Sequence, residues 1–283
     1  MRLFLLTALT MVAFAANSIL NRMALAGEHI DAVPFGAIRL VAGALMLAGL
    51  CLALRGGLKL GGPARLAGVL SLLVYMYGFS LAYTSLDAGL GALILFGMVQ
   101  ITMFAAALLS REAMPAQRWI GAALALAGLA WLMWPGGDTQ ISPLHGGLMA
   151  LAGIGWGLYS LAGRKSKDAL QATAANFVIA APFGGLALLF LPAASDPVEL
   201  SVVGIALAVI AGAITSGLGY ALWYSVLPNL AASVAAVAQL TVPVIALAGG
   251  IVLLGEGVTL TIALASALIL GGVAMSILAS RKR

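Results

Sequence analysis

The sequence predicts an all-α integral membrane protein in which ten transmembrane helices form two inverted five-helix repeats around a central cavity. Three observations predict this fold. The 283-residue chain is 63% hydrophobic and only 8% charged, whereas soluble domains are about 25% charged. The chain divides into ten apolar stretches, each close to the roughly 20 residues that cross a bilayer. Its second half also repeats features of its first half at a nearly constant offset.

A weak internal repeat relates the two halves. Phe14 and Ser18 find counterparts in Trp156 and Ser160, 142 residues further on. Further pairs keep the same order at offsets of 139 to 144 residues: Arg22 and Arg164, Gly78 and Gly219, Tyr83 and Tyr224, Gln100 and Gln239, and Gly128 and Gly272. Five crossings are an odd number, so two such copies have opposite orientations in the membrane, as in many secondary transporters. We predict a first repeat at residues 1–137 and a second, inverted repeat at residues 138–283.

Each repeat supplies five predicted helices. In the first repeat they are 3–24, 34–54, 66–84, 88–109 and 118–134. In the second repeat they are 145–163, 172–192, 200–222, 231–253 and 258–278. These stretches are rich in Leu and Ala without polar alternation, which favours helices over a β-barrel. Glycines recur in the sixth, eighth, ninth and tenth stretches, where they allow close helix packing.

The distribution of charge predicts that both termini are cytoplasmic, since cytoplasmic loops carry the excess of Lys and Arg. This topology places these basic residues inside: Arg2, Arg55, Lys59, Arg65, Arg111, Arg118, Arg164, Lys165, Lys167, Arg281, Lys282 and Arg283. It places these acidic residues outside or at outer helix ends: Glu28, Asp31, Asp87, Asp138, Asp196, Glu199 and Glu256. The net charge of +5 is therefore a topology signal, and no nucleic-acid partner is predicted.

The N-terminus has the features of a cleavable signal peptide: Arg2, an apolar run, and the small residues Ala13, Ala15 and Ala16. We favour an uncleaved first helix. Cleavage would remove the repeat partner of Trp156 and leave nine crossings.

Polar side chains inside a membrane are costly and therefore informative. Asn17, Gln100, Ser160 and Gln239 lie within predicted helices that are repeat partners of one another. Interhelical hydrogen bonding explains each residue taken alone. The symmetry of the set favours a shared central cavity.

Aromatic side chains form matching stripes. Tyr75, Phe79 and Tyr83 lie one helical turn apart on one face of the third helix. Tyr220 repeats this stripe in the eighth helix, and Trp156 lies in the middle of the sixth. Core packing is the simpler role for Trp156, and a stacking wall for an apolar or planar substrate is the alternative.

Several functional classes lack support in the sequence. No Asp or Glu lies in the middle of a predicted helix, so a buried proton relay is unsupported, although Glu112 and Asp87 remain possible proton sites. The sequence has no GxxxxGK[ST] phosphate-binding loop, no Ser, His and Asp set and no metal-spaced His pair. We therefore predict no enzyme, no cofactor and no metal, and a cycle driven by the gradient of the transported solute.

The layout resembles the drug/metabolite transporter superfamily, and specifically its EamA-type ten-helix exporters, over essentially the whole chain. The features that carry the resemblance are the 14–18 segment, Arg39, Glu112, Glu256, and the 128–130 and 272–274 segments. Within the superfamily the chain is most similar to bacterial aromatic-amino-acid exporters. The resemblance implies a basket of two inverted halves in the bacterial cytoplasmic (inner) membrane, with export of aromatic and other apolar amino acids.

An amino acid needs a dry wall for its side chain and hydrogen-bonding partners for its zwitterionic end. We assign the wall to Trp156, Tyr75 and Phe79. The polar end is assigned to Asn17, Gln100 and Gln239, with Ser160 and Tyr220 as neighbours. Arg39 can hold a carboxylate, but pairing with outer groups or a helix terminus is the simpler expectation. Arg22 is expected to extend towards water at the outer end.

Other functions remain open. The chain can export another small metabolite or a drug, with or without proton coupling, and a different class is lipid scrambling or a membrane assembly without transport. The predicted partners are a small-molecule substrate and the lipid bilayer.

Overall fold

The computed structural model describes residues 1–62, 64–111, 115–134, 141–164, 166–190, 200–230 and 238–278. These residues are almost entirely helical, and their extended pairing is limited to an isolated bridge between Ile30 and Leu200. Glu112 and the predicted boundary between residues 137 and 138 lie outside the described residues. That boundary stays a prediction.

The predicted helices are confirmed with small shifts at their ends, with two exceptions: the eighth is interrupted by a π-helical segment, and the described helix of the ninth, predicted at 231–253, is Thr241–Leu254. The first repeat contains α1 (Arg2–Ala26), α2 (Ala32–Arg55), α3 (Arg65–Ala82), α4 (Ala88–Leu109) and α5 (Ala116–Leu132). The second repeat contains α6 (Pro143–Arg164), α7 (Ala169–Phe190), α8 (Val202–Ile210), α9 (Gly219–Val226), α10 (Thr241–Leu254) and α11 (Leu260–Leu278). A π-helical segment, Ala211–Leu218, joins α8 to α9, and a short 3-10 turn, Leu227–Asn229, follows α9.

Most of these helices are long enough to span a bilayer. In the described ranges, eight helices are long and apolar enough to cross, counting Val202–Asn229 as one. The 17-residue α5 and the 14-residue α10 are shorter. Residues 231–237 of the predicted ninth helix lie outside the described part of the chain.

Local chemistry explains several helix ends. Gly56 after α2 and Gly255 after α10 have φ values of 68° and 69°, a left-handed conformation that glycine adopts without steric cost. At the start of α8, the Ser201 hydroxyl accepts a hydrogen bond from the backbone N–H of Gly204 at 3.0 Å.

The two repeats interlock. α3 packs along α6. The counterpart of α3 in the second repeat is the crossing formed by α8, the π-helical segment and α9, and this crossing packs along α1. The symmetric pairs α2 with α7, α4 with α10 and α5 with α11 also pack together. Each repeat therefore completes its core with helices of the other, and the core of the protein lies between the repeats rather than within either one.

Glycine permits close contacts between these helices. A Cβ atom on Gly155 of α6 would lie 2.9 Å from the carbonyl oxygen of Ser71 and 2.9 Å from the amide nitrogen of Tyr75 in α3. Small residues at such positions let helix backbones approach in lipid, where association depends on close packing. This approach brings the aromatic side chains of α3 and α6 together.

The π-helical segment is a feature that the sequence analysis did not predict. π-Bulges in helices frequently occur at functional sites. Here the wider turn carries Thr215 and Ser216, which are buried and contact side chains of α1 and α2.

Candidate functional site

Five aromatic side chains from four helices form a buried cluster at the centre of the protein. They are Phe14 of α1, Tyr75 and Phe79 of α3, Trp156 of α6 and Tyr220 of α9. The ring centroid of Trp156 lies 5.0 Å from that of Tyr75 and 4.9 Å from that of Tyr220. These separations lie in the range in which aromatic rings attract each other. Trp156 therefore bridges the aromatic stripes of the two repeats.

Arg39 of α2 lies behind this cluster and is fully buried. Its Nη2 donates to the Tyr75 hydroxyl at 3.0 Å, and its Nε donates to the Ser216 hydroxyl at 3.1 Å. The guanidinium carbon lies 5.0 Å from the ring centroid of Phe79, a cation–π distance. Nη1 has no hydrogen-bond partner. Within the described residues, no carboxylate lies at ion-pair distance from Arg39.

This arrangement corrects the simpler expectation for Arg39. Its partners are neither outer charged groups nor a helix terminus but two hydroxyl groups in the interior. Ser216 comes from the π-helical segment, whose altered register the sequence does not reveal.

Asn17 of α1 extends the polar part of the cluster. Its side-chain amide donates to the Tyr75 hydroxyl at 3.2 Å, and its Oδ1 lies 3.0 Å from the Thr215 hydroxyl. The Tyr75 and Tyr220 hydroxyl oxygens are 3.2 Å apart. Tyr75 thus links α1, α2 and α9 through one oxygen atom, and buried polar groups of both repeats share one network.

A cavity of about 640 Å³ lies on the other side of Trp156. Trp156, Gln100, Ser160 and Gln239 are among the residues that line it, together with Trp223. The lining continues to Ser110, Arg118 and Ser166, which lie at the ends of helices or in a connection. The cavity therefore runs from Trp156 to one end of the bundle. We call this the inner end, since it carries the basic residues.

The structure distributes the sequence-predicted residues over two regions that meet at Trp156. Asn17, Tyr75, Phe79 and Tyr220 belong to the buried cluster. Gln100, Ser160 and Gln239 line the cavity. The Ser160 hydroxyl donates to the Trp156 carbonyl oxygen at 2.8 Å, so part of its hydrogen-bonding capacity is used within α6.

Sequence reasoning did not assign four contributors to the site: Phe14, Thr215, Ser216 and Trp223. The signal that can reveal Thr215 and Ser216 is a pair of hydroxyl residues flanked by glycines in the middle of an apolar crossing. Trp223 is buried, and its ring centroid lies 6.0 Å from that of Phe14.

The opposite end of the bundle, where α1 ends, is closed by a charged network. We call it the outer end. Arg22 Nη2 lies 3.3 Å from Asp87 Oδ1, and Arg22 Nε lies 3.5 Å from Glu256 Oε1. The Glu256 carboxylate also accepts the backbone N–H of Ala88 at 2.8 Å. Arg22 therefore does not simply extend into water, as expected from sequence, but joins the first repeat to the loop between α10 and α11.

Burial raises the pKa of Glu256 above its ordinary value of 4.5, and the nearby charge of Asp87 acts in the same direction. The hydrogen bond from Ala88 and the charge of Arg22 oppose this shift without cancelling it. At the inner end, burial raises the pKa of Asp168, but hydrogen bonds from Arg55 and Gln171 outweigh burial, so the pKa lies below its usual value. The pKa of Glu256 at the outer end is thus raised, and the pKa of Asp168 at the inner end is lowered.

Comparison with known proteins gives three findings. A model of the EamA-like transporter family matches residues 1–134 and again residues 146–278. An uncharacterized protein of Pseudomonas aeruginosa is 48% identical over 283 residues, covering 99% of this chain and 96% of that protein. A protein of known crystal structure is similar with a TM-score of 0.65 at 20% identity, covering 100% of this chain and 99% of the other. At that identity, the structural similarity shows the fold alone.

Proposed function

Because this chain belongs to the EamA-like transporter family, we propose that it exports aromatic and other apolar amino acids across the bacterial cytoplasmic membrane by facilitated, alternating-access transport. Membership of the family points to transport rather than to an enzymatic reaction. The substrate class, the direction and the membrane are the parts that we propose.

The cavity that ends on Trp156 is the observation that carries this proposal. Its volume of about 640 Å³ falls within the range of about 300–1,000 Å³ that is common for small-molecule sites. Trp156 and Trp223 offer flat apolar surfaces, while Gln100 and Gln239 offer amide donors and acceptors. This combination suits a small molecule with one apolar and one polar end.

The two ends of the bundle support alternating access. The cavity reaches the inner end, whereas Arg22, Asp87 and Glu256 tie the two repeats together at the outer end. If the basic inner end faces the cytoplasm, this conformation loads substrate from inside the cell. Release then requires the outer network to open.

Facilitated transport is proposed because of where the acidic groups lie. Asp87 and Glu256 are paired with Arg22 at the outer end, and the described cavity lining contains no carboxylate. The gradient of the amino acid itself is then the driving force.

The test is flux of radiolabelled phenylalanine, tryptophan and methionine in proteoliposomes that contain only this protein, with and without a pH gradient. Trp156→Ala and Gln239→Ala are each expected to reduce saturable flux at least about tenfold, since each removes one side of the cavity. Trp134→Phe is the matched control, because Trp134 is exposed at a helix end. Absence of flux above protein-free vesicles, with a folded preparation, would refute the amino-acid proposal.

A further inference from the structure

Arg39 carries a positive charge in the interior for which the described residues supply no negative partner. Arg39 is 0% exposed, and its Nη1 nitrogen is the buried side-chain atom of the described residues that lacks a hydrogen-bond partner. Charges inside a membrane protein are costly and are normally paired, and they mark substrate or ion pathways. The state that the structure captures thus leaves both N–H donors of Nη1 unused in a buried cation.

The contacts around Arg39 hold its guanidinium in one orientation. Ser216 fixes Nε, Tyr75 fixes Nη2, and the Phe79 ring lies 5.0 Å from the guanidinium carbon. All three are uncharged, so they position the cation without neutralising it. A planar guanidinium fixed on two sides is prepared to bind a carboxylate through its remaining donors.

One layer of aromatic rings separates this cation from the cavity. Tyr75 touches Arg39 through its hydroxyl, and its ring lies 5.0 Å from that of Trp156, which lines the cavity. Movement of Trp156 is therefore the first step that brings a substrate from the cavity towards Tyr75 and Arg39. Asn17 lies beside the same Tyr75 hydroxyl, and its Oδ1 accepts hydrogen bonds from Thr215 at 3.0 Å and from Asn21 at 3.5 Å.

We propose that Arg39 is the carboxylate-binding residue of the transported amino acid, reached after Trp156 moves aside. This inference rests on the proposed function and assigns the substrate carboxylate to a fully buried cation at the centre of the protein. The cavity holds the amino acid first, and Arg39 then selects for a free carboxylate at the centre of the protein.

The test compares L-phenylalanine with L-phenylalaninamide, in which a neutral amide replaces the carboxylate. The measured quantity is the concentration of each ligand that gives half of the maximal thermal stabilisation of the full-length protein in detergent. The wild type is expected to favour phenylalanine about tenfold or more, because a hydrogen-bonded charge pair is lost with the amide. In Arg39→Gln the half-stabilising concentrations of the two ligands should differ by less than about twofold, while Arg39→Lys should keep part of the preference for phenylalanine.

Arg55→Gln is the matched control, since Arg55 lies on the same helix but is exposed at the inner end, paired with Asp168. Arg55→Gln should keep the wild-type ratio between the half-stabilising concentrations of phenylalaninamide and phenylalanine. An unchanged ratio in folded Arg39→Gln would overturn the proposal, because a purely structural arginine does not discriminate between the two ligands. If Arg39→Gln does not fold, equal affinity of the wild type for the two ligands overturns it equally. Absence of any amino-acid flux by the wild type would instead refute the proposed function.

Discussion

Removal of the Arg22 side-chain charge should open the outer end of the protein. Arg22→Gln leaves Glu256, whose side chain is only 8% exposed, without its cation. Breaking a fully buried pair costs about 3–5 kcal/mol, and an exposed pair contributes about 0–1 kcal/mol. Arg22 is 19% exposed and Asp87 38%, so this network falls between those limits, at about 1–2 kcal/mol. An outer-open state should then be favoured about 5-fold to 30-fold more than in the wild type.

The assay uses a cysteine that is reachable only when the outer end opens. Ser80 is fully buried in the outer half of α3, where its hydroxyl donates to Asn21 at 3.1 Å, and Ser80→Cys is a small change. The native thiol, Cys51, is removed by Cys51→Ala. The rate of labelling by a membrane-impermeant maleimide from the outer side, at mildly alkaline pH, should rise about 5-fold to 30-fold with Arg22→Gln.

Arg55→Gln provides the control for this measurement. It breaks the 2.7 Å pair between Arg55 and Asp168 at the inner end, a pair whose side chains are 47% and 35% exposed. Its labelling rate should equal that of the parent. If Arg22→Gln also labels at the parental rate while remaining folded, the charged network does not hold the outer end closed, and the reasoning is refuted.

Further outcomes are expected at the outer end and at the contact between α3 and α6. Burial raises the pKa of Glu256 in the closed state, so protonation of Glu256 stabilises the closed outer end. This stabilisation is fully present at pH values below 4.5, the ordinary pKa, and is lost as the pH rises through the raised pKa. The labelling rate of Ser80→Cys, divided by that of free cysteine at the same pH because thiolate supply itself falls with pH, should therefore decrease as the external pH falls through that window. Glu256→Gln should remove this response; a normalised response that persists in Glu256→Gln would assign it to another group. Gly155→Ala places a methyl group against the backbone of α3 and should destabilise the protein by about 1–3 kcal/mol. Gly147→Ala in the same helix meets nothing within 4 Å and should be neutral or slightly stabilising, and equal thermal unfolding of these two variants would contradict the packing argument.

Periodic and compositional features of the sequence predicted much of the fold. Leu-rich and Ala-rich runs must become helices in a bilayer, since backbone polar groups there can be satisfied only internally. The repeat of Phe14 and Ser18 by Trp156 and Ser160 predicted two related halves, in agreement with the two matches to the family model. The stripe of Tyr75 and Phe79 predicted neighbouring rings, and their centroids lie 5.3 Å apart.

The sequence could group predicted site residues that share one helix, but it could not predict how these residues divide between the buried cluster and the cavity. Residues one turn apart on one helix can be grouped from sequence, as Tyr75 and Phe79 were. Whether Asn17 and Gln100 face the same space depends on how α1 and α4 rotate against their neighbours, which is decided by packing. The structure places Asn17 in the buried cluster and Gln100 in the cavity, with Trp156 between the two regions.

The sequence by itself determined that this chain is built of apolar helices, that its halves repeat, and where its basic end lies, because these properties follow from local hydrophobicity, order and charge. Only the tertiary structure decided which groups surround Arg39 and which groups pair with Arg22. Ser216 lies 177 residues from Arg39 in sequence, and it reaches Arg39 from a π-helical segment. Such contacts depend on the packing of helices from both repeats, and no local pattern in the chain encodes that packing.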